Sequence, residues 1–169
     1  MHRGLKEPHI FLVSQNPMTL MRNLAGVLPP QQIKKIQIEV EKNVRALLIL
    51  ASNHYNFSKS VHSTHWRQKV SRLYYAAYNA RRALMLKHDG TFSTDSSDHK
   101  NVDKLPDSLA NCSMHKSKLK DLREDRNLCD YSHLALEADL LIAVSDADVY
   151  VEGFLKDVKD YLVSQGVTI

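Results

Sequence analysis

Four long stretches of the chain repeat apolar residues at steps of three and four, and this spacing constrains the fold more than any other feature. Such spacing lines up apolar side chains along one side of an α-helix, which must then pack against another element. Glycine and proline number five each in 169 residues, so turn-forming positions are too few for many short strands. The sequence therefore predicts an all-α fold, an up-and-down bundle of four to five helices.

The predicted long helices cover residues 33–51, 64–88, 115–129 and 134–163. The helix over 64–88 carries two apolar stripes side by side, more than one small bundle is expected to cover. This surplus of apolar surface predicts a symmetric homodimer. A shorter helix is expected over 99–111, interrupted by Pro106.

Two consecutive prolines, Pro29 and Pro30, indicate a domain boundary, because proline cannot continue a helix. Residues 1–30 are interpreted as an N-terminal extension that contains a short amphipathic helix near its end. Residues 31–169 are interpreted as the helical domain.

Composition narrows the class of protein. The formal net charge of +4 permits a polyanionic partner without requiring one. The two cysteines, Cys112 and Cys129, form no CxxC pair, so neither a zinc site nor a disulfide framework is expected. No secretory signal and no apolar run of membrane-spanning length is present. We expect a cytoplasmic protein without membrane association.

Polar residues interrupt the apolar stripe of the helix over 115–129. Leu119, Leu122 and Cys129 define the stripe, and Arg126 falls between the last two. Continued helical spacing would place His133 on the same side. Burying such groups costs several kcal/mol unless they are paired or line a cleft. The pattern therefore predicts a polar groove or interface, with Asn127 beside it.

A purely structural interpretation competes with this one. An arginine on a helix stripe often pairs with a carboxylate four residues on, here Asp130. A lone histidine is more often structural than catalytic. The stripe alone favours the structural interpretation.

Three stretches together resemble the HEPN family. Residues Arg126 to His133, RNLCDYSH, match its signature of an Arg, a polar residue and a His after four to six positions. Residues Ser71 to Leu84, SRLYYAAYNARRAL, are similar to its central helix. The stretch from Leu122 through Asp130-Tyr131 and Glu137 is similar to its last two helices, and the resemblance covers roughly residues 40–163.

The resemblance implies a helical bundle that dimerises, with two Arg/His motifs meeting in a cleft. Many catalytic members are metal-independent endoribonucleases of toxin–antitoxin, phage-defence and CRISPR-associated systems, so we expect RNA as partner and no cofactor. Arg126 would stabilise charge on the phosphate and His133 would transfer protons. Asn127 would support the histidine or a phosphate oxygen. The alternative is a non-catalytic HEPN module that binds a nucleotidyltransferase or scaffolds a defence complex.

One departure weakens a specific partnership. In some toxin members a Tyr two residues after the motif His is adenylylated by a partner nucleotidyltransferase, and here that position is Ala135. Ala135 has no hydroxyl to be adenylylated, so we do not expect neutralisation of this chain by that route, and an antitoxin protein is the alternative partner.

Lys116, Lys120 and Arg123 precede the motif and are candidates for contacts with the RNA backbone, although a solvated helix face is the commoner explanation. The pair His62 and His65 lacks further ligands, so no metal site is expected.

Overall fold

Five α-helices form the part of the chain that the computed structural model describes, residues 16–93 and 96–169. The helices are α1 Pro17–Leu24, α2 Pro30–Ser60, α3 Trp66–His88, α4 Cys112–Tyr131 and α5 Val144–Ser164. Short 3-10 helices cover Ser63–His65, Ser96–Asn101 and Glu137–Asp139. No strand occurs within the described ranges. The predicted all-α bundle is confirmed.

The central element is α3, which contacts α2, α4 and α5. Its buried residues lie on most of its circumference: Val70, Leu73, Tyr74, Ala76, Ala77, Tyr78, Asn79, Ala80, Arg81, Ala83, Leu84, Met85 and Leu86. The apolar surface that suggested a second subunit is thus covered within one protomer. Support for a dimer must come from another surface.

The helix α2 runs to Ser60, nine residues beyond the predicted end at 51. The run of polar residues after Ala51 does not stop it, because Tyr55 and Ser58 remain buried on the same side. The Ser58 hydroxyl donates to the carbonyl oxygen of Tyr55 at 2.7 Å, which satisfies the buried hydroxyl inside the helix.

The predicted helix over 134–163 is wrong in its first ten residues, because α5 begins at Val144. The buried carboxylate of Asp125 accepts hydrogen bonds from the backbone N–H groups of Leu141 at 2.7 Å and Ile142 at 3.0 Å. These contacts hold the segment between α4 and α5 as a loop that contains only the 3-10 helix Glu137–Asp139. Leu136, which falls on the apolar spacing of the helix predicted over 134–163, is 67% exposed.

The predicted helix over 99–111 is also wrong. The regular part is the 3-10 helix Ser96–Asn101, and turns follow it. Leu105 and Leu109 are nevertheless buried, so this segment contributes to the core without forming an α-helix.

The N-terminal helix α1 lies against the end of α3. Asn16 Nδ2 donates to the carbonyl oxygen of Asp89 at 2.6 Å, and Met21 is buried. Gly90 has φ +77°, and a Cβ there would lie 2.5 Å from Asn16 Oδ1, so this position requires glycine. Residues 1–15 of the proposed extension lie outside the described residues.

Candidate functional site

Arg126 lies on the side of α4 that faces α3, and its side chain is 15% exposed. Its Nη2 donates to the hydroxyl of Tyr75 at 2.7 Å, and its Nη1 donates to Asn127 Oδ1 at 3.2 Å. Nε lies 2.8 Å from Asp130 Oδ2, but no aligned hydrogen bond joins them. The ion pair anticipated by the structural interpretation is therefore present. Asn127 contacts the arginine itself.

Aromatic rings surround the Arg126 guanidinium. Its central carbon lies 5.9 Å from the ring centre of Tyr74, 5.5 Å from that of Tyr75 and 5.6 Å from that of Tyr131. Burial alone would lower the pKa of Arg126, but the Tyr75 hydroxyl and the Asp130 carboxylate outweigh it, and the pKa is raised. The site thus contains a permanently charged, oriented cation.

His133 lies outside the helix that carries Arg126, because α4 ends at Tyr131. Its side chain is exposed. The prediction that helical spacing carries the stripe on to His133 is therefore wrong, whereas Leu119, Leu122 and Cys129 are buried as predicted. The proposed catalytic role of His133 stays a prediction.

Arg67, in the first turn of α3, fixes the backbone around His133. Its Nη1 donates to the carbonyl oxygens of Cys129 at 2.9 Å and Ser132 at 2.8 Å, and its Nη2 donates to that of Ala135 at 2.6 Å. Tyr75, the partner of Arg126, is eight positions further along α3, about 12 Å at 1.5 Å per residue. Within one protomer, Tyr75 holds Arg126 and Arg67 holds the backbone around His133, so the two motif residues are held at points about two turns apart on α3.

A different histidine, His99, lies on the tyrosines that surround Arg126. Its Nδ1 is 2.7 Å from the hydroxyl oxygen of Tyr74, and its ring stacks on Tyr78 with ring centres 4.2 Å apart. Its ring centre is 5.7 Å from that of Tyr74 and 6.1 Å from that of Tyr75. The side chain is partly exposed. His99 and Arg126 therefore share two aromatic neighbours.

A buried ion pair holds the 3-10 helix that carries His99. Arg81 Nη1 lies 3.2 Å from Asp98 Oδ2, with the two side chains 2% and 5% exposed. The Tyr78 hydroxyl also donates to Asp98, at 3.1 Å. Sequence reasoning missed His99 because it lies in a polar, irregular stretch. The available signal was Arg81, a cation within the apolar pattern of α3 that requires a buried acid as partner.

The three basic candidates for RNA contact each pair with a carboxylate. Lys116 lies 2.7 Å from Asp107, Lys120 lies 3.1 Å from Asp103, and Arg123 Nη2 lies 2.6 Å from Glu124. These ion pairs reduce the positive potential along this part of α4. Their role in RNA binding stays a prediction.

A second polar cluster lies between α4 and α5. Buried His115 is 1% exposed, and its Nε2 is 3.0 Å from Asp157 Oδ2. Asn111 Nδ2 donates to the same oxygen at 2.9 Å. These side chains line a cavity of about 510 Å³. Sequence patterning did not identify this cluster, because the partners are 42 positions apart.

Residues 16–93 and 96–169 contain neither a metal-ligand cluster nor a membrane-spanning helix. No group of three or more His, Cys, Asp or Glu side chains there is arranged to hold a metal ion, and His62 and His65 are exposed. None of the helices in these ranges has the length and apolar character needed to cross a membrane.

Comparison with protein-family models, curated proteins and solved structures found no match to this chain.

Proposed function

We propose that the chain is a metal-independent endoribonuclease of HEPN type that acts as a homodimer. The observation that carries the proposal is the mostly buried Arg126, which Tyr75 fixes at 2.7 Å and which tyrosine rings surround. His99 lies on the same tyrosines. A planar, permanently charged guanidinium matches the oxygens of a phosphodiester. The ring of Tyr131, which is 75% exposed, can stack on a base of a single strand.

RNA supplies its own nucleophile, so the protein must provide charge stabilisation and proton transfer. The 2′-hydroxyl attacks the phosphorus, the bond to the 5′-oxygen breaks, and the products are a 2′,3′-cyclic phosphate and a 5′-hydroxyl. Arg126 stabilises the negative charge that develops on the phosphate oxygens. Asn127 orients Arg126 through the contact at 3.2 Å. His133 protonates the leaving 5′-oxygen.

The dimer proposal rests on the end of α4 and the loop that follows it. Tyr131, Leu134, Leu136 and Leu141 are 75%, 80%, 67% and 64% exposed, an unusual set of large apolar side chains within eleven residues. A second copy that covers this loop would bury them and bring each His133 close to a neighbouring chain. The resemblance to HEPN proteins supports the same arrangement. It is also the basis for a cytoplasmic toxin–antitoxin or phage-defence setting, with an antitoxin or nucleotidyltransferase as further partner.

A second candidate is a non-catalytic HEPN module that binds a protein partner through the same loop. The observation that favours it is the engagement of Arg126 by Tyr75, Asn127 and Asp130, which leaves the guanidinium little freedom to reach a substrate.

The experiment incubates purified protein with total RNA, with and without EDTA. We expect cleavage that EDTA does not inhibit. His133→Ala is expected to lower the rate roughly 10²- to 10⁴-fold by removing proton transfer, and Asn127→Ala is expected to have a smaller effect. Lys156→Ala, on the exposed surface of α5, is the control. Arg126→Ala is measured beside these variants. If wild type, His133→Ala and Arg126→Ala cleave RNA equally well, the cleavage comes from a contaminant. If the wild type cleaves no RNA, the binding module is favoured.

A further inference from the structure

We propose that His99 is the general base of this site, the group that removes the proton from the attacking 2′-hydroxyl, and that Tyr74 positions it. This proposal rests on the ribonuclease function proposed above and goes beyond the Arg/His motif, since His99 lies 27 positions before Arg126.

The first argument is geometric. The guanidinium carbon of Arg126 and the ring centre of His99 each lie between 5.5 and 6.1 Å from the ring centres of both Tyr74 and Tyr75. A phosphate bound at Arg126 would therefore have this histidine in its vicinity within the same protomer. His133, by contrast, belongs to the loop that Arg67 anchors, and Arg67 lies about 12 Å along α3 from Tyr75.

The second argument is the support behind His99. The neighbouring Asp98 is held by Arg81 at 3.2 Å and by the Tyr78 hydroxyl at 3.1 Å, and the imidazole stacks on Tyr78. A buried ion pair contributes little net stability compared with apolar packing, but it fixes position. Here it fixes the short 3-10 helix, and with it the ring of His99, against α3.

The Tyr74 hydroxyl is compatible with the protonation form that a base requires, because a phenol oxygen accepts a hydrogen bond as well as donating one. Burial raises the pKa of Tyr74 well above its ordinary value, so its hydroxyl stays protonated. In the tautomer that we assign to the reactive state, Nδ1–H of His99 donates to the Tyr74 oxygen at 2.7 Å, and Nε2 carries the lone pair. Nε2 accepts the 2′-hydroxyl proton, the 2′-oxygen bonds to phosphorus, and the 5′-oxygen leaves with a proton from an acid, the role proposed for His133.

The surroundings keep His99 neutral at physiological pH. Burial lowers the pKa of His99 below 6.5, the positive charges of Arg126 and Arg82 lower it further, and only the Asp98 carboxylate opposes them. Tyr74 and Tyr78, which contact the ring, are uncharged. Because His99 acts as a base only when it is neutral, we expect the cleavage rate to rise with pH as His99 loses its proton, at a pH below 6.5. This rise is the acidic limb of the pH–rate profile.

The test compares His99→Gln with a matched control, His88→Gln. His88 forms the same kind of pair, with Nδ1 2.7 Å from the Tyr161 hydroxyl, but it lies exposed at the end of α3. We expect His99→Gln to lower kcat on a single-stranded RNA by roughly 10²-fold or more and to remove the acidic limb of the pH–rate profile. Binding of the same sequence with 2′-deoxy sugars should be unchanged, and His88→Gln should behave as wild type.

Tyr74→Phe keeps the buried ring and removes only the hydroxyl, so it tests the site even where the His99 variant folds poorly. We expect lower kcat, unchanged KM and a displaced acidic limb. An active wild type whose pH profile survives both substitutions would overturn the role of His99 and leave the ribonuclease proposal standing. An inactive wild type would overturn both.

Discussion

The Nη2 of Arg126 on α4 donates a 2.7 Å hydrogen bond to the hydroxyl of Tyr75 on α3. This contact joins the two helices at the level where Tyr74 and His99 also meet. Because a guanidinium has a fixed planar set of five N–H donors, this contact also sets the direction of its other N–H groups. The candidate site is thus organised across the α3–α4 seam rather than along α4 alone.

Arg126→Ala is expected to lower RNA cleavage by a factor of roughly 10²–10³, by analogy with the loss of one oxyanion donor. Arg126→Lys should recover only part of the activity, because an ammonium cannot keep both the Tyr75 contact and a forked contact with phosphate. Steady-state kinetics on a defined RNA measure both variants. Full activity of the lysine variant would mean that charge alone matters.

Replacing Leu134 and Leu136 together by aspartate is expected to convert a dimer into a monomer, because charged groups oppose burial of the loop against a second copy. Light scattering at micromolar concentration should give twice the chain mass of 19.3 kDa for wild type and 19.3 kDa for the variant. The control is Val163→Asp, at a position on α5 that is 57% exposed. A wild type that is already monomeric would remove the composite dimeric site.

Asp98→Asn is expected to lower the free energy of unfolding by about 3–5 kcal/mol, because it leaves the buried Arg81 without a compensating charge. Denaturant unfolding measures the loss. Asp160→Asn breaks the exposed pair with Lys156 and should change stability little, since solvent screens that pair. Equal small effects of the two substitutions would show that the Arg81 pair does not fix the His99 segment.

Asp157 is expected to make a pH-dependent contribution to stability. Burial alone would raise the pKa of Asp157, but hydrogen bonds from Asn111 and His115 outweigh it and hold the pKa below 3.8. Because the folded pKa is depressed, the contribution is fully present above 3.8 and is lost as pH falls through the folded value. Asp157→Ala should therefore cost about 1–3 kcal/mol at neutral pH, and the difference from wild type should shrink in acid. A difference independent of pH would exclude the charge as its source.

Helical spacing predicted much of the bundle because its stripes are local. The prediction for α4, residues 115–129, agrees closely with Cys112–Tyr131. It failed over 134–143, where Leu136 and Leu140 continue the spacing but Asp125, from another helix, binds the backbone of Leu141 and Ile142. Spacing cannot reveal a carboxylate that arrives from elsewhere in the chain.

The sequence by itself determined that the chain forms long helices and that Arg126 lies within an apolar stripe, because both depend on residues three and four positions apart. Only the tertiary structure decided which groups from other segments of the chain surround Arg126. Tyr75 is 51 positions away from it, and His99 reaches the same tyrosines through a segment held by the Arg81–Asp98 pair. Such contacts depend on how the helices pack against one another, so they cannot be predicted from local periodicity.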